Sequence, residues 1–210
     1  MLSFWRATLF AYSISWITGC HVDAAATQEA GETKLVPTEA AGARAHYLAN
    51  AGVLVEDGET KVVFDPLFRN DYGTFQLVPE EVERALFAGR PPFDGIDAVF
   101  ISHYHEDHFS PSDVLRLLKE HGQLRVYAPQ QAVTGMKRHA VENDAPLFDR
   151  VEALSLEYKD APLTIEEGPL LIEAVRIPHS GWPERQRHVE NIAYRVTLDA
   201  TTTVLHLGDA

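Results

Sequence analysis

The sequence predicts an α/β fold, a layered domain with sheet at its centre. Three observations predict it. Short apolar runs rich in Val, Ile and Phe recur along the chain. Between the earlier runs lie helical patterns with start and stop signals, and from Leu163 onward strand patterns follow one another. At 210 residues, 45% of them hydrophobic, the chain can build one domain with a sizeable core, and nothing in it is repetitive or collagen-like.

The elements follow in order. "AHYLANAGVLVEDGETKVVFDPLF" reads as strands broken by turns, with Asp57-Gly58 as a hairpin signal and Val62 to Phe64 as a buried strand ending at Asp65-Pro66. "RNDYGTFQ" is loop. Pro79 to Phe87 is a helix opened by proline and stopped by "AGRPP". "DAVFIS" is an apolar strand. Ser110-Pro111-Ser112-Asp113 predicts a capping box, with Ser110 as N-cap and Asp113 as its acid. It opens a helix from Pro111 to His121, with Val114, Leu115, Leu117 and Leu118 on one face. "LRVYAP" is strand and Gln130 to Ala140 helix. "LTIEEGPLLIEAVRIPH" reads as a hairpin, "NIAYRVTL" and "TTVLHL" as further strands.

The N-terminus has its own organisation. "MLSFWRATLFAYSISWITGC" places Arg6 before an apolar run from Ala7 to Ile17. The run is shorter than the roughly 20 residues that span a bilayer, and it fits a secretory signal over residues 1–19. Ile17-Thr18-Gly19-Cys20 resembles the lipobox of bacterial lipoproteins. That resemblance implies lipidation of Cys20, membrane attachment in a bacterial cell envelope, and, from His21 where inner-membrane lipoproteins often carry Asp, the periplasmic side of the outer membrane. Cys20 is the only cysteine, so no intrachain disulfide forms. Residues 20–43, rich in Ala, Glu, Thr and Gly, read as the lipidated cysteine and a flexible tether, followed by the domain at 44–210. The formal charge of -13 repels phosphate backbones and argues against a nucleic-acid partner.

The densest chemistry is "AVFISHYHEDHFSPSD". His103, His105, Asp107 and His108 leave a buried strand and enter a helix start, so the loop is pinned at both ends and its side chains can converge. Neutral imidazole and carboxylate are the ligands of zinc and similar divalent ions. A surface histidine run would have no reason to follow an apolar strand.

The spacing His-x-His-x-Asp-His resembles that of the metallo-β-lactamase superfamily, over roughly Ala45 to Ala210. Asp65 in "VVFDP", His179 in "RIPHSGW" and Asp209 in "VLHLGDA" fall in the family's order. The opening stretch looks most like the branch of ascorbate-6-phosphate lactonase and phospholipase-D-type enzymes, but Ala49-Asn50-Ala51 stands where that branch often has Gly-His-Ala. The resemblance implies an αββα sandwich. It implies that His103, His105 and His179 hold one metal, that Asp107, His108 and Asp209 hold a second with Asp209 bridging, and that Asp65 orients a ligand from behind. It further implies two zinc ions, a metal-bound hydroxide, and cleavage of an ester, lactone or phosphodiester in a small molecule or lipid, with Asp107 as the catalytic carboxylate. His105 stands where the superfamily's di-iron flavoproteins have Glu, which favours zinc; manganese and iron remain open by ligand type. The sequence ends directly after Gly208-Asp209-Ala210, before the family's last metal-ligand histidine. It therefore reads as a domain incomplete at its C-terminus, with a truncated, non-catalytic metal-binding lipoprotein as the alternative. Oligomeric state is not legible.

Other polar residues read as structural: His206 as a packed neighbour of the site, His121, His46 and His139 as scaffold, Glu106 as solvent-facing. His188 is an exposed histidine or a substrate contact. Tyr104, Phe109 and Trp182 flank the expected ligands as pocket walls or packing. Arg69, in a loop to Phe75 that could rim the site, is a surface residue or an anion contact.

Overall fold

The computed structural model describes residues 42–210; the signal, the lipidated Cys20 and the tether up to residue 41 lie outside the described residues. Two sheets face each other. The first comprises β1 (Arg44–Ala49), β2 (Gly52–Asp57), β3 (Thr60–Phe64), β4 (Ala98–Phe100), β5 (Arg125–Pro129) and β6 (Val151–Leu154), paired in that order. β1 to β3 are antiparallel; β3 to β6 run parallel, as their helical connections require. The second comprises β7 (Leu163–Glu167), β8 (Leu170–Ile177), β9 (Asn191–Leu198) and β10 (Thr202–His206), all antiparallel, in the order β10-β9-β8-β7. Helices α1 (Glu80–Phe87), α2 (Pro111–Glu120) and α3 (Gln130–His139) connect the parallel strands, and a 3-10 segment, Glu142–Arg150, leads into β6. These are three of the four layers of an αββα sandwich. Among the described residues no helix lies in the second sheet's part of the chain.

Two cores hold the layers. Between the first sheet and the helices lie Leu54, Val63, Val99 and Ile101 from strands, against Leu86, Val114, Leu117, Leu118 and Met136 from helices. Between the sheets, Phe64, Phe100 and Tyr127 stack ring on ring at 5.1 Å and meet Ile172, Tyr194 and Val196. Burying each such ring is worth about 1.5–3 kcal/mol. The alternation along β3 explains both cores: Val63 points to the helices, Val62 and Phe64 to the other sheet.

The hairpin turn at Gly58 has φ +59, which suits glycine. The capping box predicted at α2 is not formed. Ser110 makes no cap hydrogen bond, its hydroxyl lies 3.3 Å from that of Ser112, and Asp113 instead pairs with Arg69 Nε at 2.5 Å. A charged partner from another loop outcompetes the local backbone donor.

Candidate metal centre

The site lies at the carboxyl ends of β3, β4, β8 and β10, where the two sheets open. In parallel α/β sheets this is where functional loops gather. β3 ends in Asp65, fully buried, with φ 40. A left-handed backbone is costly for a non-glycine residue and marks a constrained position. Its carboxylate accepts from Ser102 N–H (2.7 Å) and the Ser102 hydroxyl (2.6 Å), and faces His108 Nδ1 at 2.9 Å. The backbone after β4 delivers Ser102 and His103, both fully buried. The loop then closes on itself: His108 N–H and Phe109 N–H donate to His105 O at 3.0 and 2.9 Å. Asn50 Nδ2 holds Asp107 O at 2.8 Å, and the Arg69 and Asn70 amides hold Glu106 O at 3.2 Å.

The other two ligand candidates come from the second sheet. Past β8, His179 is buried. Past β10, Asp209 is tied back by Ser180 N–H donating to its carbonyl at 2.7 Å. Buried Asn191 links the arms: its Nδ2 donates to Leu207 O (3.2 Å) and its Oδ1 accepts from Asp209 N–H (3.4 Å). Ile192 N–H donates to Ser102 O at 2.9 Å, joining the sheets beside the histidines. Gly208 sits in the remaining gap with φ +57; a Cβ there would stand 2.3 Å from Asn191 Oδ1 and 2.7 Å from Ser102 Cβ.

The tautomers follow from these partners. The Ser102 hydroxyl spends its proton on Asp65, so it accepts from His103 Nδ1 at 3.0 Å. His108 Nδ1 donates to the Asp65 carboxylate, and His179 Nδ1 donates to Ser180 O at 2.9 Å. All three rings thus turn Nε2 inward. The Nε2 atoms of His103 and His179 are 3.2 Å apart. Asp209 spans the group, 3.1 Å from His108 Nε2 and 3.5 Å from His179 Nε2, and Asp107 lies 3.8 Å from His108 Nε2. The half-buried His105 ring sits 4.7 Å from that of His103 and 4.8 Å from that of His179. Two sets, His103 with His105 and His179, and His103 with Asp107 and His108, bring ligand atoms within 4.8 Å of one another. Five of the six expected ligands fall in these sets, with His103 in both, and Asp209 reaches them through His108 and His179. Lone pairs and carboxylates converging in a buried space repel unless a cation lies among them, and imidazole with carboxylate is the donor set of zinc, manganese and iron.

Without metal, protons do this work. Burial and then the charge of His108 push His103 down to about 3, so its Nε2 is free. Burial and His179 also lower His105. Burial opposes the charge on His108, but the Asp209 and Asp65 carboxylates outweigh it and raise the ring to about 10. Asp209, bonded to that imidazolium, is held down to about 2. Burial would raise Asp65, yet His108 and His206 keep it lowered.

The remaining residues divide cleanly. His206 stacks on Phe64 at 5.0 Å and bonds Ala51 O at 3.1 Å. His121 bonds Leu86 O, His46 bonds Glu56, and His139 bonds Gly135 O. Glu106 is exposed and bonded by Asn70. Arg69 is taken up by Glu83 and Asp113 and is not offered to the site. Phe109 is buried, Trp182 is exposed, and His188 Nε2 meets the Tyr104 hydroxyl at 3.1 Å. Sequence reasoning missed Ser102, Asn191 and the role of Asn50. Each is a polar residue abutting an apolar strand, the one local signal they carry.

Comparison with known proteins follows the same lines. Residues 60–210 match the model of a family described as "Beta-lactamase superfamily domain". A stretch of 107 residues, 50% of this chain, is 32% identical to part of an octanoyltransferase of Porphyromonas gingivalis (strain ATCC BAA-308 / W83); it spans 21% of that protein. Among solved structures, a possible metal-dependent hydrolase from Veillonella parvula DSM 2008 is similar in fold. Its TM-score is 0.51 at 14% identity, over 81% of this chain and 64% of that one. A novel metallo hydrolase from Ignicoccus hospitalis KIN4/I gives a TM-score of 0.47 at 14% identity, over 80% and 61%. The chain thus spans less than two thirds of each of these relatives.

Proposed function

The chain belongs to the beta-lactamase superfamily, and from that membership we propose that it is a metal-dependent hydrolase, taking two zinc ions and cleaving an ester, lactone or phosphodiester bond. One observation carries the reading: three imidazoles, each fixed through Nδ1 to an oxygen acceptor, turn Nε2 toward a space that Asp107 and Asp209 also face. His103, His105 and His179 would hold one ion, and Asp107, His108 and Asp209 the other. Divalent ions, when bound there, would supply a water whose pKa is lowered toward about 7 and polarisation of the oxygen under attack.

The chain's own groups do the rest. Asp65 and Ser102 fix the His108 and His103 rings, so these two need not reorient as charge develops. Asp107, buried and with its carbonyl held by Asn50, would orient the attacking water and accept its proton. Phe109, at the end of the loop, is buried in the helix-side core.

The test is metal content and turnover together. Zinc-loaded protein is assayed on p-nitrophenyl esters, lactones and bis-p-nitrophenyl phosphate. The expected result is about two ions per chain and turnover of one bond class. His103→Ala should lose more than the roughly 100-fold that removing an outer partner of a ligand costs. Failure to retain metal, or full turnover by metal-replete His103→Ala, would overturn the reading.

A further inference from the structure

Next to the metal centre, between the 103–109 loop and α3, lies a recess of about 590 Å³, a size that suits the body of a small molecule. His105, an expected ligand, forms one part of its wall. Tyr72, Tyr104 and Phe109 give it aromatic surface, and Arg138, exposed on the last turn of α3, adds a cation. Tyr104, Gln131 and Arg138 also line a smaller adjoining chamber of about 250 Å³, completed by Gln130 and Thr134.

The chamber's lining is chemically one-sided. It holds amides, hydroxyls and one guanidinium, and no carboxylate. Two acids lie nearby but outside this chamber's lining: Glu190 accepts from Gln131 N–H at 2.9 Å, and Glu106, which keeps its charge on the wall of the larger recess, accepts from Asn70 at 2.9 Å, so the anion's place is the chamber beside Arg138. Arg69 shows the alternative, a guanidinium near the cleft whose charge Glu83 and Asp113 absorb. Among the described residues no acid takes up Arg138 in that way. On a chain of net charge -13, the average field disfavours an anion. A cation set among neutral donors beside the reaction centre is therefore a selective feature.

We propose that this recess holds the non-reacting part of the substrate and selects molecules with an apolar body ending in an anionic group, a carboxylate or a phosphate, paired with Arg138. The aromatic walls receive the apolar body, and the guanidinium offers a two-pronged set of donors to the anion. The inference builds on the hydrolase reading, since that reading gives the neighbouring His105 its role.

The experiment separates the two. Binding of phenylhexanoate, phenylhexyl phosphate and phenylhexanol is measured by calorimetry on the metal-free protein in EDTA, so that no metal can capture the anion. At least one anion should bind the native chain about tenfold more tightly than it binds Arg138→Gln, a difference of about 1.4 kcal/mol. The alcohol should bind both equally, Arg138→Lys should recover part of the loss, and the tighter anion identifies the headgroup. Equal binding of both anions to native and Arg138→Gln protein, or no binding of any probe, overturns the proposal. A parallel assay compares p-nitrophenyl esters with and without a terminal carboxylate. Turnover without charge preference sinks this inference alone; charge-selective binding without turnover of any ester, lactone or phosphodiester sinks the hydrolase reading alone.

Discussion

The floor of the candidate metal site and its rim are built on opposite principles. On the floor, Asp65, Ser102 and His103 are fully buried, His108 is 2% exposed, and each side chain has a hydrogen-bonded partner. Among the described residues, the buried side-chain atoms without a partner lie on Arg125, Tyr127, Tyr158 and Arg176, none of them on the floor. At the rim, Tyr72 is 57% exposed, Arg138 is exposed, and the Tyr104–His188 contact is a single hydrogen bond. The floor has its ligand geometry set before any ligand arrives. The rim is held loosely, so its residues can change without disturbing the chemistry below. Folds that host many activities separate the two functions in this way.

The largest effect that would break the contrast is at Asp65. Asp65→Ala strips partners from two Ser102 donors and from the His108 ring at once. It should destabilise the metal-free protein by about 3–5 kcal/mol, the cost of leaving a buried charge unpaired, read by urea denaturation in EDTA. A loss below about 1 kcal/mol would mean that the floor is not preorganised.

The second test is pH. His108 is raised from 6.5 to about 10, so its contribution is complete below 6.5 and is lost as pH climbs through about 10. Asp209 is lowered from 3.8 to about 2, so its contribution is complete above 3.8 and is lost as pH falls through about 2. These are two ends of one ion pair and count once. The pair adds no slope between pH 3.8 and 6.5, but His103, lowered from 6.5 to about 3, and His105, also lowered, leave the unfolded chain binding more protons there, so metal-free stability should rise with pH up to 6.5 and decline above it. Metal must displace the His108 proton, so zinc affinity should rise with pH over the range 6.5 to 10. A zinc titration showing no proton release at pH 7 would contradict this.

The smallest effect belongs to the rim. Tyr104→Phe removes only the hydroxyl that meets His188. Stability should stay within about 0.5 kcal/mol and metal content should not change, while KM shifts more than kcat. Loss of bound zinc in this variant would show that floor and rim are not separate.

Much of this was legible without coordinates. The hairpin at Gly58, the helices before and after the histidine loop, and the apolar strand feeding it all have periodic or turn signatures. The capping box at Ser110 was misread because a local motif cannot reveal Arg69, a competitor from 44 residues earlier. Arg69 itself was left open between a surface residue and an anion contact, and two acids settle that it is structural. Asn50 occupies the turn between β1 and β2, with its backbone at φ 45 and its amide donating to the Asp107 carbonyl.

By itself the sequence marked His103, His105, Asp107 and His108 as candidate metal ligands, because imidazole and carboxylate at that spacing beside a buried strand have few other uses, while His179 and Asp209 were implied only by the family resemblance. Only the tertiary structure decided that they face one another and through which nitrogen. That depends on the pairing of β8, β9 and β10 and on the crossing contacts from Ser102 to Asp65 and Ile192. Pattern along a chain reports local periodicity; convergence of side chains more than 70 residues apart, as for His103 and His179, is set by packing of the two sheets.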